Sequence, residues 1–305
     1  MKIDTIMTCG AIQLSTPLLT GSGTFGYGDE FENVIDYKSF GGIVTKSISF
    51  EPRSGNKPPR ICETTTGGII NSIGLANPGI LGFLAEKVRS LPIDKTRVFL
   101  SVVGDAVEDY VSVIERLEGV KGISGYEINV SCPNVKKGGL NLGGDQGAVA
   151  EIVREVRNKT NRFISVKLTP HYPVIAPIVK AAAEAGTDAL TLTNTLVGMA
   201  IDLESQKPLL GNVFGGYSGP PLKPVALAKV WQAAQVVDIP IWASGGIING
   251  NDCIEFLLAG ASGLQLGSVL FADPHSPERV LQEIKAYCIR HDVDSISDLV
   301  GKLKV

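Results

Sequence analysis

The 305-residue sequence lacks the marks of several protein classes. Its five cysteines (Cys9, Cys62, Cys132, Cys253 and Cys288) are scattered, and no two stand at C-x-x-C spacing. That argues against a disulfide framework, a zinc site or an iron–sulfur cluster carried by this chain, and no metal site is expected. Histidine is scarce too, with three residues. His275 and His291 fall late in the chain, so a Cys–His nucleophile pair has little support; His171 follows a predicted strand and could reach a site there. No apolar run is long enough to cross a bilayer, and the first ten residues, MKIDTIMTCG, contain no apolar stretch of signal-peptide length. A net charge of -3 gives no reason to expect a nucleic-acid or anionic-membrane partner. These absences lead us to expect a reduced, cytoplasmic protein.

What is present is an alternation. Short β-branched runs at 18–22, 42–47, 97–103, 126–131, 163–169, 189–194, 240–244 and 263–268 are separated by helical stretches such as 106–118, 147–159 and 174–185. Eight strands, each followed by a helix, predict a single (β/α)8 TIM barrel over residues 1–305; a doubly wound sheet is the competitor. Residues 4–16 read as a two-stranded flap at the barrel bottom, and 277–304 as a last helix with a polar tail. Turns from helix to strand are short, whereas the connections 49–76, 132–146 and 195–220 are long and rich in Gly, Pro, Asn and Ser. In a barrel these open on the C-terminal face, where active sites are built.

Several residue patterns on that face carry chemistry. GSGTFG (21–26) matches a dinucleotide fingerprint, but the second strand delivers Lys46 where that motif wants an acid. Lys46 and Lys167 lie inside apolar runs, where an ammonium is costly unless it meets an anion. Asn71, Asn129, Asn134 and Asn194 offer paired donors and acceptors suited to a planar, amide-rich ligand, while Asn77 before Pro78 reads as turn chemistry. Gly245 and Gly246, then Gly267 and Ser268, mark the ends of the last two strands, the usual barrel position for a phosphate. Cys132 ends a strand that Pro133 stops, followed by a Gly-rich stretch with Lys136 and Lys137. A thiol there can serve as base or nucleophile near neutral pH.

Together these motifs resemble the dihydroorotate dehydrogenases. EINVSCPNVKKGG (127–139) is similar to the catalytic-loop motif of the class 1 enzymes, and its Lys-Lys-Gly-Gly ending to the class 1B catalytic subunit. TGSGTFG, VTKSI, NSIGLANPG, SVKLTP, LTNT, GGYSGP, SGGI and LGS follow in family order from about Leu18 to Phe271. The resemblance implies one FMN per subunit, contacted by Ser22, Lys46, Ser47, Ser101, Asn129, Lys167, Thr193, Gly219, Gly245, Gly246, Gly267 and Ser268. It implies that Lys46, Asn71, Ser72, Ile73, Gly74, Leu75, Asn129, Asn194 and Thr195 hold dihydroorotate or orotate, and that Cys132 is the catalytic base. Two departures stand out: Ser101 replaces the family's usual asparagine, and GGLNLGGD (138–145) lacks the usual aromatic.

The implied reaction takes a proton from C5 of dihydroorotate and a hydride from C6 to FMN. By the same resemblance, electrons pass to NAD through a partner subunit carrying FAD and a 2Fe-2S cluster, in a heterotetramer built on a homodimer of this chain. The alternatives are a fumarate-linked class 1A enzyme, a pyrimidine-reducing FMN barrel, and a flavin-free phosphosugar isomerase or lyase.

Overall fold

The computed structural model describes residues 2–131 and 144–305. Eight parallel strands close into a barrel: β1 (Leu18–Thr20), β2 (Gly42–Val44), β3 (Arg97–Val102), β4 (Gly125–Asn129), β5 (Phe163–Leu168), β6 (Ala189–Leu192), β7 (Ile241–Ser244) and β8 (Gly263–Leu266). Ring closure runs through β8–β1, where Leu264 pairs with Leu18, and β5–β6, where Lys167 pairs with Thr191. Each strand falls inside or within one residue of an expected β run. Outside the ring lie α1 (Val107–Leu117), α2 (Gln146–Arg157), α3 (Ala176–Glu184), α4 (Lys223–Ala234), α5 (Gly250–Leu258) and α6 (Ser276–Arg290).

The expectation of a helix after every strand needs correction. After β1 comes a three-residue helical turn, Tyr37–Ser39. Gly21, Gly23, Gly26 and Gly28 precede it, and such a density of glycine opposes helix formation. Aromatic packing covers the barrel there instead: Phe25 stacks on Phe31 at 4.9 Å and meets Tyr37 and Phe40 edge-on. After β2 the helical segment is short and irregular, passing through Gly79–Gly82, Phe83–Lys87 and Val88–Ser90.

Because side chains alternate along a strand, every second residue points inward. Toward the N-terminal end the interior is aromatic: Phe99, Phe163 and Trp242 pack with centroids 5.0–5.8 Å apart. Gly42 and Gly263 make room for them, since a Cβ at Gly263 would stand 2.4 Å from Trp242 and one at Gly42 2.8 Å from Phe99. Two residues along each strand the interior turns polar, with Ser101, Glu127, Ser165, Thr191 and Gln265 all buried. The expected flap closes the bottom as an antiparallel hairpin, Met7–Cys9 with Ile12–Leu14, whose turn residue Gly10 lies against Pro240 and Asp188.

The long connections after β2 and β6 are more ordered than their composition implies. Their strands Leu196–Gly198, Gly215–Ser218, Gly68–Asn71 and Ile61–Thr64 pair in that order into one antiparallel sheet over the C-terminal face.

The aromatic plug generates a test. Gly263→Val overpacks it and is expected to lower unfolding free energy by about 1–3 kcal/mol, read as an earlier urea midpoint. A midpoint equal to the parent's would contradict this account of the barrel bottom.

Candidate active site

The strand ends and the antiparallel sheet enclose a cavity of about 520 Å³. Register places its floor: Asn129 pairs with Lys167 across β4–β5, and Thr193 continues β6 by donating its N–H to Ser244 O at 2.7 Å. Lys46 sits two residues past the end of β2, with its N–H on Gly26 O at 2.7 Å. Both lysines line the cavity, as do Ser22, Ser47, Asn129, Thr193, Gly219, Gly245, Gly246, Gly267 and Ser268 of the expected cofactor set. The expected substrate set, Asn71, Ser72, Ile73, Gly74, Leu75, Asn194 and Thr195, lines it too. Cys132 and Asn134 lie outside the described residues. Ser131, next to Cys132, lines the cavity and is tied by its Oγ to Lys167 O at 2.8 Å.

Ser101 stands apart from the others. It is fully buried and does not line the cavity; its Oγ lies 2.9 Å from Ser47 Oγ. It stands one hydrogen bond behind a cavity residue, Ser47.

Charge in the cavity has one sign. Its described lining contains Lys46 and Lys167 and no Asp or Glu. Burial pushes the Lys46 ammonium below its ordinary value, a pull that Glu30 partly opposes. Lys167 is 5% exposed and reaches Gln265 Oε1 at 3.3 Å, Ser22 Oγ at 3.4 Å and Glu127 Oε1 at 3.8 Å. Asparagine amides are only partly used. Asn194 Oδ1 accepts from Thr195 N–H at 2.8 Å while its Nδ2 donates weakly to Asn129 Oδ1 at 3.4 Å, and Asn71 Nδ2 donates to Gly216 O at 3.2 Å. Asn77 keeps its expected turn role, its Oδ1 accepting from Gly79 N–H and Ser49 N–H.

At the far end of the cavity the backbone comes forward. Gly246 has φ +77° and packs against Lys223 so closely that a Cβ would lie 2.5 Å from its nitrogen. Gly267 faces open space, its Cβ position meeting Thr24 alone at 4.0 Å, and Gly21 approaches it from β1. Such a glycine-lined hollow accepts a phosphate against main-chain N–H groups. A phosphate-bearing, polar, planar group such as FMN therefore fits the residues present: ammonium groups and glycines for its anionic parts, and no carboxylate among the described lining to repel it.

Sequence reasoning missed the polar layer beneath the floor and the apolar roof. Glu127 and Gln265 sit beneath the floor; an acid inside the apolar run GYEIN is the same signal that singled out the lysines. Ile61, Ile69, Leu196, Val197 and Phe214 line the roof. His171 does reach the cavity, and both ring nitrogens are engaged. Nδ1 lies 2.6 Å from Thr169 Oγ1, and Nε2 accepts from Val197 N–H at 3.1 Å, which fixes the ring as the Nδ1–H tautomer.

Two tests follow from this geometry. Gly267→Val has space to fold but fills the hollow, so it is expected to lose FMN uptake in fluorescence-quenching titration while keeping its circular-dichroism spectrum. Uptake equal to the parent's would remove Gly267 from the cradle. Burial also holds His171 below the ordinary imidazole value of 6.5. The unfolded chain then takes up this proton first, so the stability that depends on a neutral His171 is complete above 6.5 and falls as pH drops below it. The stability gap between parent and His171→Gln, measured by urea unfolding, should shrink on acidification; a constant gap contradicts the assignment.

The family model described as dihydroorotate dehydrogenase matches residues 6–288. The chain is 45% identical to the dihydroorotate dehydrogenase B (NAD(+)) catalytic subunit of Citrifermentans bemidjiense, over 99% of both chains. It is 44% identical to the subunit of that name in Geobacter metallireducens, again over 99% of both. A relative in Solibacter usitatus, 45% identical over 97% of both chains, carries the provisional name dihydroorotate dehydrogenase A (fumarate). The chain belongs to the dihydroorotate dehydrogenase family.

Proposed function

We propose that this chain, as one barrel domain over residues 1–305, oxidises (S)-dihydroorotate to orotate in pyrimidine biosynthesis, with FMN as its cofactor. The observation that carries the reading is the cavity itself: two ammonium groups, five asparagine amides and a glycine-lined hollow, with no acid among its described lining. Bound FMN supplies the hydride acceptor. Ser22, Ser47, Thr193, Gly219, Gly245, Gly246, Gly267 and Ser268 would hold it, and Lys46 and Lys167 would offset negative charge on it. Asn71, Asn129 and Asn194 would fix the substrate's amide edges, with Lys46 and the Ser72–Leu75 backbone at its carboxylate. Ile61, Ile69, Leu196 and Val197 would give the bound substrate an apolar cover from above.

Proton removal falls to Cys132. Supporting this are its place in the EINVSCPN motif and its neighbour Ser131 at the cavity wall. With the cofactor taking the hydride from C6, a thiolate on the other side of the substrate would take the proton from C5.

Electrons then pass to NAD through a second subunit bearing FAD and an iron–sulfur cluster, in an assembly of two copies of each. The names of the B-type relatives support the NAD link and a second subunit, and the Lys136–Lys137–Gly138–Gly139 ending supports the B-type class; the FAD, the cluster and the stoichiometry follow from the family resemblance. The Solibacter relative favours a second reading, direct reduction of fumarate. Among the described residues no helix is long and apolar enough to cross a membrane, in keeping with a cytoplasmic site of action.

Cys132→Ala should retain FMN and slow its reduction by dihydroorotate about 10²–10⁴-fold in anaerobic stopped-flow. Equal rates would remove Cys132 from the mechanism. Co-purification of a second, coloured subunit that confers NAD reduction favours the B-type assembly; fumarate reduction by the isolated chain favours the second reading.

A further inference from the structure

Barrel interiors are ordinarily filled by branched apolar side chains. Below this cavity the layer is polar, and one member is an acid with no solvent exposure, Glu127. Its Oε2 accepts from Gln265 Nε2 at 2.6 Å and from Thr191 Oγ1 at 3.1 Å, and Thr191 Oγ1 lies 2.8 Å from Ser165 Oγ. Its Oε1 has no hydrogen-bond partner and faces Lys167 Nζ at 3.8 Å. Gln265 closes a triangle from β8, donating to Glu127 and accepting from Lys167 at 3.3 Å. Among the described residues this is the one ion pair that Lys167 makes.

A buried ammonium without a counter-ion is costly, and it neutralises or moves. Lys167 lines the cavity and Glu127 does not, so the lysine stands between the acid and whatever binds above. The nearer charge dominates the field there. We propose that Glu127 is a positioning residue that holds the positive charge of Lys167 at the cavity floor, and so raises the reduction potential of the flavin bound there. This rests on the FMN reading above.

The sign of the effect separates this role from its rival. An acid acting directly would repel negative charge on a reduced flavin, and its removal would raise the potential; an acid acting through Lys167 does the reverse. The experiment is spectroelectrochemical titration of the FMN-loaded parent, Glu127→Gln, Lys167→Met and the double variant. Glu127→Gln is expected to shift the reduction equilibrium toward oxidised flavin by about tenfold, about 30 mV for a two-electron couple. In the Lys167→Met background it should add nothing further. An unchanged or raised potential in Glu127→Gln, or an equal shift with and without Lys167, overturns the proposal. Thr191→Val removes one donor from the carboxylate at nearly constant shape and should shift the potential in the same sense by less. Should Glu127→Gln fail to fold, a Thr191→Val potential at or above the parent's overturns the proposal in its place. A parent protein that takes up no FMN overturns the cofactor reading and this proposal with it, whereas a flavin-loaded parent with an indifferent Glu127→Gln defeats the proposal alone.

Discussion

Closure of the parallel ring is the constraint from which the site follows. Parallel pairing sends all eight strands the same way, so the residues just past Thr20, Val44, Asn129, Leu168, Leu192, Ser244 and Leu266 arrive together at one face. Side-chain alternation then stacks the interior in register. Phe163, Ser165 and Lys167 rise along β5, and Gly125, Glu127 and Asn129 along β4 beside it. The aromatic plug seals the bottom, so the space above is a floored cavity and not a pore. Asn129 and Lys167 are thereby held by strand hydrogen bonds, a firmer support than a loop provides.

Electrostatics are sorted by height in the same way. The described cavity lining carries cations and amides, and one layer down lies an acid, Glu127, pinned by Gln265 and Thr191. A low-polarity surrounding strengthens every one of these interactions. An anionic ligand therefore meets positive charge directly, while the acid that balances it stays out of contact.

Much of this was legible in the sequence, for identifiable reasons. The barrel strands are β-branched runs bounded by Gly and Pro, and their expected spans agree with the ring. Lys46, Lys167 and the strand-end glycines were legible because a charge or a glycine in an apolar run needs an explanation. The roof sheet was not, since its strands are three or four residues long and Gly216 pairs with Asn71 across the whole middle of the chain. Gln265 and Glu127 meet across 138 residues, a contact no local pattern announces. Ser101 was expected at the ligand by analogy; it is fully buried, with its hydroxyl bonded to that of Ser47, a long-range contact that no local pattern announces. The missing helix after β1 was written in four glycines that the alternation pattern passed over.

The account is tested most directly by the visible spectrum of the purified protein before and after anaerobic addition of dihydroorotate. It predicts oxidised-flavin bands that bleach on addition, the cofactor and its reduction by this substrate appearing in one experiment. Flavin bands that persist unchanged would contradict the substrate, and a colourless protein that takes up no added FMN would contradict the flavin site and favour a phosphosugar barrel.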